Sequence, residues 1–221
     1  KIYFRLPLEL FPAVCQTAHE RNMPVTAHLE LVRADQAIDA GIDGIEHVTS
    51  LGTALAEADD ASQFEQIVSE NPSARTEQRY RLWSKIELDN NPRLKPLLDQ
   101  LVSHHTVLSP TLAVFERRSH FEKASEFEVF GFQRMLEFVR RCRQAGVTIV
   151  VGSHTWVPGA EFGWAFHREL ELLVECGMSP LEAIRAGTID GARFLRAEER
   201  LGSLTPGKLA DLVVVSGNPA E

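Results

Sequence analysis

Short apolar runs of four to six residues alternate along this chain with longer stretches in which apolar residues recur at helical spacing. That alternation predicts parallel β-strands joined by crossover helices. Strands are expected at Lys1–Phe4, Pro24–His28, Gly44–Val48, Thr106–Thr111 and Val147–Gly152. Helices are expected over about 8–22, Val32–Ala40, about 123–145, 162–176 and 180–195. Gly41 stands where a helix C-terminus favours glycine, and Ser179-Pro180 with Glu182 in the first turn reads as a helix start. From Leu51 to His105 the pattern loosens into charged helical stretches broken at Asn71-Pro72 and Asn90-Asn91-Pro92, an elaborated segment of the kind that carries lids. The tail from Leu201 turns and is expected to finish on a strand over Leu212–Val215.

This order points to an α/β protein, a partial (β/α)8 TIM-type barrel of about the last five strands, because five are too few to close a barrel of eight. Residues 1–200 are read as the barrel portion, with the elaboration at 51–105, and 201–221 as a return strand toward a small β-domain. The chain opens without Met and in the middle of an apparent strand, so its start reads as cut. The missing strands then lie upstream, or two copies complete each other.

Composition narrows the function classes. A formal charge of -8 leaves no broad basic surface for nucleic acid or an anionic membrane. No apolar run reaches the roughly 20 residues that span a bilayer. A soluble protein with a small-molecule substrate is expected, self-association being open; the cytoplasm is favoured, with an upstream signal left open. Cys15, Cys142 and Cys176 form no CxxC pair and are read as buried thiols, and no GxSxG elbow supports serine chemistry.

In a parallel barrel the reacting groups sit at strand C-termini. His28 and His47 end their strands, and His154 lies two residues beyond Gly152. Three imidazoles converging on one mouth would make a site for zinc or a similar divalent metal. A structural histidine is the ordinary alternative at any one position. His19, His104, His105, His120 and His167 lack the strand-end position and read as surface or capping residues, with His120 and His167 kept as weak candidates. Tyr3 alternates with Lys1 and would face the same side, where it could bind substrate. Arg117, Arg118, Trp156 and Trp164 read as solvated or packing side chains.

Two stretches resemble the metal-dependent amidohydrolases, in particular their imidazolonepropionase-like and prolidase-like branch. Gly152-Ser153-His154 stands where that family has Gly-Thr-Asp, and Phe166–Val174 is similar to its following helix. Leu201-Gly202-Ser203-Leu204-Thr205-Pro206-Gly207-Lys208-Leu209-Ala210-Asp211-Leu212-Val213-Val214 is similar to its closing motif, which makes Lys208 and Asp211 structural. The resemblance implies one or two divalent metals, zinc first among them, and hydrolysis of an amide, cyclic amide or peptide-like C–N bond. It maps Lys1 onto a bridging carboxylated lysine, His28 and His47 onto two metal-binding histidines, and His154 onto the aspartate that binds metal and moves the proton. The family's first-strand histidine pair has no counterpart here. Histidine in place of that aspartate leaves three outcomes: a replacement base, a ligand only, or a lost activity. A non-catalytic binding protein and an incomplete fragment of a longer enzyme are therefore the rival readings.

Overall fold

A computed structural model describes residues 1–119, 123–154 and 160–220. At its centre three strands, β1 (Thr26–His28), β2 (Gly44–Glu46) and β3 (Val107–Ser109), pair in parallel in that order. His28 stands opposite Glu46, and Glu46 opposite Ser109. Single bridges extend the sheet at both edges, Ile2 to Ala27 and Ile149 to Leu108. All five expected segments thus lie side by side in sequence order, two of them reduced to one bridging residue. The alternation of a strand explains the two faces. Ile2, Ala27, Ile45, Leu108 and Ile149 share one face, each less than 5% exposed beneath the helices. Thr26, His28, Glu46 and Ser109 occupy the other. These observations establish a parallel α/β sheet and leave it open, with no closure into a barrel among the described residues.

Helices return the chain between strands, as parallel pairing demands. After β1 comes α2 (Ala34–Asp39), which Gly41 ends in the left-handed conformation, φ +97°. It is preceded by α1 (Phe11–His19), shorter than the expected 8–22 because Leu8–Leu10 form a separate 3-10 turn. The segment 51–105 is helical almost throughout: α3 (Gly52–Leu55), α4 (Ala58–Glu70), α5 (Arg75–Lys85) and α6 (Leu94–Ser103). A helix the sequence pattern did not disclose, α7 (Leu112–Ser119), follows β3 directly. Next come α8 (Glu126–Ala145), α9 (Trp164–Glu175), α10 (Pro180–Ala186) and α11 (Ile189–Phe194). The single helix expected over 180–195 is thus two, broken at Gly187-Thr188, where the Thr188 backbone leaves the helical region.

Two packing details place the site. Gly131 lets α8 lie against α5, since a Cβ there would come within 2.6 Å of the Tyr80 carbonyl oxygen. Behind it Trp83 packs edge-on against Phe138, ring centres 5.6 Å apart, both fully buried. Burying side chains of this size contributes on the order of 2–3 kcal/mol each, which anchors α5 firmly. Gly152 does the same for the fifth segment: a Cβ would meet Ser109 Oγ at 2.2 Å, so only glycine lets the chain approach β3 before turning to His154.

The tail departs from expectation. No strand forms over 212–215, and Val213 and Val214 are 87% and 88% exposed. A strand is stabilised by a neighbour's backbone groups and side chains, and no described segment pairs with this one. Lys208 does fasten the preceding turn, donating to the carbonyls of Glu198 and Leu201 and, at 2.8 Å, to the Ser203 hydroxyl. The three cysteines are free and buried. Among the described residues no helix is long and apolar enough to cross a membrane.

Candidate functional site

Beyond the C-terminal ends of the strands lies a cavity of about 220 Å³. Lys1, Tyr3, His28, His47 and His154, the five residues singled out from the sequence, all line it. The rest of the wall comes from two helices: Arg75, Arg79 and Tyr80 on α5, and Val114, Phe115 and Arg118 on α7. The His28 and His47 ring centres are 4.4 Å apart, and those of His47 and His154 5.5 Å. His28 and His47 are buried, whereas His154 is exposed at the rim.

Each buried ring has one nitrogen engaged. His47 Nδ1 lies 2.7 Å from the Thr111 hydroxyl. His28 Nε2 lies 2.9 Å from Glu30 Oε1 and 2.9 Å from Arg79 Nη2. Arg79 also closes an ion pair on Glu30, its Nε donating to Oε1 at 2.7 Å. Among the described residues, His28 Nδ1 and His47 Nε2 make no hydrogen bond. Burial pushes the His28 pKa down, against the upward pull of Glu30. Burial, reinforced by repulsion from His28 whenever that ring is protonated and by the charges of Arg79 and Lys1, pushes His47 well below the ordinary histidine value. Both rings are therefore neutral near pH 7. Glu30 is fully buried, which by itself would raise its pKa, but Arg79 and His28 hold it below the usual carboxylate value. Its second oxygen, Oε2, is buried and has no hydrogen-bond partner among the described residues.

The backbone here is unusual as well. His47 and Thr111 both adopt positive φ, 68° and 51°. For a β-branched threonine this is an outlier, and such strain concentrates at functional sites. The two strand ends are laced together by His47 N donating to the Ser109 carbonyl (2.8 Å) and Val48 N to that of Pro110 (2.9 Å).

A divalent metal finds suitable donors in part. Neutral imidazoles, each oriented through its other nitrogen by a neighbouring side chain, are the usual form of a metal-binding histidine. Against that, the Arg79 guanidinium touches the His28 ring, and Lys1 Nζ pairs with Glu46 at 2.9 Å. Carboxylation of Lys1 would require its amine to leave that partner. Among the described residues no three His, Cys, Asp or Glu side chains are close enough to hold an ion together.

Arg79, Glu30 and Thr111 are the site residues sequence reasoning missed. Glu30 was within reach, two positions after His28 on a two-residue repeat, and Thr111 closes its strand run as the histidines close theirs. Arg79 gave no signal, because it arrives from a helix 51 positions away along the chain. Of the other candidates, Arg118 reaches the cavity but pairs with Glu128 at 2.6 Å. His19 pairs with Asp43 at 2.7 Å, away from the mouth. Trp164 is half exposed at the start of α9 and does not line the cavity. The Arg117 side chain, His120 and Trp156 lie outside the described residues.

A parallel α/β sheet with a histidine-lined mouth is the setting, and the family follows. The model of the Amidohydrolase family matches residues 6–221, and the chain belongs to that family. Imidazolonepropionase of Symbiobacterium thermophilum is 37% identical over 78 residues, 35% of this chain and 18% of that enzyme. Adenine deaminase 4 of Rhizobium meliloti is 38% identical over 47 residues, 21% of this chain and 8% of that enzyme. A solved Xaa-Pro dipeptidase with bound methionine superposes with a TM-score of 0.65 at 24% identity, covering 97% of this chain and 44% of its own. The ochratoxinase of A. niger does so with 0.63 at 21%, covering 99% and 41%. The chain therefore spans less than half the length of these structures, and the matches to the curated relatives cover under a fifth of each. The likeness to imidazolonepropionases and prolidase-like structures agrees with the branch that the sequence motifs resemble.

Proposed function

We propose that this chain carries part of the active site of a metal-dependent hydrolase that cleaves a C–N bond in an amide, cyclic amide or peptide-like substrate. We read its sheet as an arc of a (β/α)8 barrel and the tail after Leu201 as the return toward a small β-domain. The observation that carries the reading is the pair of buried histidines: each is neutral, each is held through one nitrogen, and among the described residues each keeps the other nitrogen free of hydrogen bonds. His28 and His47 would hold the ion, zinc suiting ring nitrogens best, with His154 and Lys1 as further ligands and room for one ion or two. When bound, such an ion supplies the acidity that makes water a nucleophile at neutral pH and polarises the scissile carbonyl.

The remaining work falls to the chain's own side chains. Glu30 and Thr111 set the ring orientations, and Arg79 neutralises Glu30 so that His28 stays uncharged. Tyr80, whose hydroxyl donates to the Phe115 carbonyl at 2.6 Å, and Phe115 itself form an apolar wall that limits water. His154, exposed at the rim, is the residue we assign to take the proton from the attacking water and return it to the leaving nitrogen.

The cavity also speaks to the substrate. Four cationic side chains line it, Lys1, Arg75, Arg79 and Arg118, and no carboxylate does among the described residues. Three of them are paired, with Glu46, Glu30 and Glu128. Arg75 instead donates to the Tyr3 hydroxyl at 3.2 Å and lies over the Phe4 ring. Arg75 and Tyr3 together suit an anionic group beside the bond to be cut.

The test is metal content by elemental analysis of the full-length protein and of His28→Ala and His47→Ala, with hydrolysis of N-acyl amino acids followed in parallel. We expect bound metal and turnover in the wild type and a drop of more than about 100-fold in activity in both variants, beyond the loss typical for an outer partner. Tight binding of such ligands without turnover would favour the non-catalytic alternative, which the exposed position of His154 supports.

A further inference from the structure

Thr111 immediately precedes the first residue of α7, the position where threonine ordinarily uses its hydroxyl to cap its own helix. Here that hydroxyl lies against His47 Nδ1 instead. The amides at the start of α7 are met from elsewhere. Glu169, on α9 and fully buried, accepts from Ala113 N at 2.8 Å, and the neighbouring backbone amides of Leu112 and Thr111 also favour its charged form. A carboxylate on a helix N-terminus is favourable for the helix. The second Glu169 oxygen is nevertheless buried without a partner among the described residues, and burial raises the acid's pKa to about 7. So costly a group, where threonine could have capped the helix unaided, calls for a role beyond the cap.

We propose that Glu169 is a positioning residue for the candidate site: by capping α7 from α9, it releases the Thr111 hydroxyl to fix the His47 ring. The chain of contact runs from the Glu169 carboxylate, through the strained Thr111 backbone, to His47 Nδ1. Its consequence is that the His47 ring is held in one orientation through Nδ1, with Nε2 left for another partner. Without the carboxylate, the Thr111 hydroxyl turns back onto its own helix and the His47 ring is released. The proposal rests on the reading of His47 as a metal ligand for its functional meaning, but not for its physical content.

The experiment uses the full-length protein and four variants. Glu169→Leu removes the acceptor at similar volume, Glu169→Gln keeps one acceptor oxygen, Thr111→Val removes the hydroxyl, and the fourth combines Glu169→Leu with Thr111→Val. Histidine-ring 15N signals are recorded without metal, and zinc affinity is measured by competition with a chromophoric chelator. We expect one sharp set of His47 ring signals in the wild type and in Glu169→Gln, and broadened or doubled signals in Glu169→Leu and Thr111→Val. Zinc binding should weaken about tenfold in those two variants, and the double variant should be no weaker than Thr111→Val. A folded Glu169→Leu protein with the wild-type His47 signal would overturn the proposal, as would losses that multiply in the double variant. Should Glu169→Leu not fold, Glu169→Asp, one methylene too short to reach the amides, is read in the same way. If the wild type binds no zinc, the metal reading fails while the ring signals still decide the role of Glu169.

Discussion

The two ends of the sheet carry two very different hollows. At the N-terminal ends of the strands lies the larger, about 750 Å³, among Asp43, Val107, Ile149 and the start of α10. Its arginines are matched: Arg143 with Glu182, Arg185 and Arg193 with Asp190, and Arg196 with Asp43 at the longer distance of 3.9 Å. The smaller hollow at the C-terminal ends is lined by two neutral histidines, one of them in strained backbone, and by Arg75, which among the described residues has no carboxylate partner; directly behind the rings lie the strained Thr111 and the Glu30 oxygen that is buried without a partner among the described residues. Volume therefore points to one end and unmet chemistry to the other. Folding favours matched groups, so the end that keeps mismatched ones does so for a reason other than stability.

The largest expected effect that sharpens this contrast comes from Glu30→Ala. It strands Arg79 and His28 in a buried position, and breaking a buried pair in this way costs about 3–5 kcal/mol. Chemical denaturation should show that loss near pH 7. Because the folded state holds the Glu30 pKa below its ordinary value, the stability it contributes is present above that ordinary value and is lost as pH falls through the depressed one. The gap between wild type and variant should therefore close in acid. Equal gaps at pH 7 and in strong acid would refute the pairing.

Arg75→Ala comes next. Loss of a charge-assisted hydrogen bond of about 1.5 kcal/mol should raise KM about tenfold for an N-acyl amino acid and leave a neutral amide of the same shape unaffected. An equal change for both substrates would remove the anion from the proposal. The smallest effect is expected at the other end of the sheet. Arg185→Ala should change stability by less than about 1 kcal/mol, as exposed pairs do, with steady-state kinetics unchanged. A large kinetic loss there would break the contrast between the two hollows.

Much of this architecture was readable along the chain, for local reasons. A short apolar run followed by a helical pattern is a strand–helix unit wherever it occurs, and all five such runs took their places in order. The capping box Ser179–Glu182 and the left-handed Gly41 depend only on neighbouring residues. Failures occurred where neighbours in space decide. A strand over 212–215 needs a partner that the described residues do not provide, and α7 starts under a carboxylate from α9 that lies 56 positions away.

The same division holds for the site. Ending a strand brings a side chain to the mouth of a parallel sheet, so His28 and His47 could be chosen from position alone and Tyr3 from its alternation with Lys1, and all of them line one cavity. What each can do there was settled only by the fold. Which nitrogen of a ring is held, whether a carboxylate is charged, and which arginine meets a carboxylate depend on groups brought within about 3 Å from distant parts of the chain. Residue order specifies the elements through local backbone preferences and apolar periodicity. Tautomer, charge state and strain arise from contact and burial, which exist only once α5, α7 and α9 have packed against the sheet.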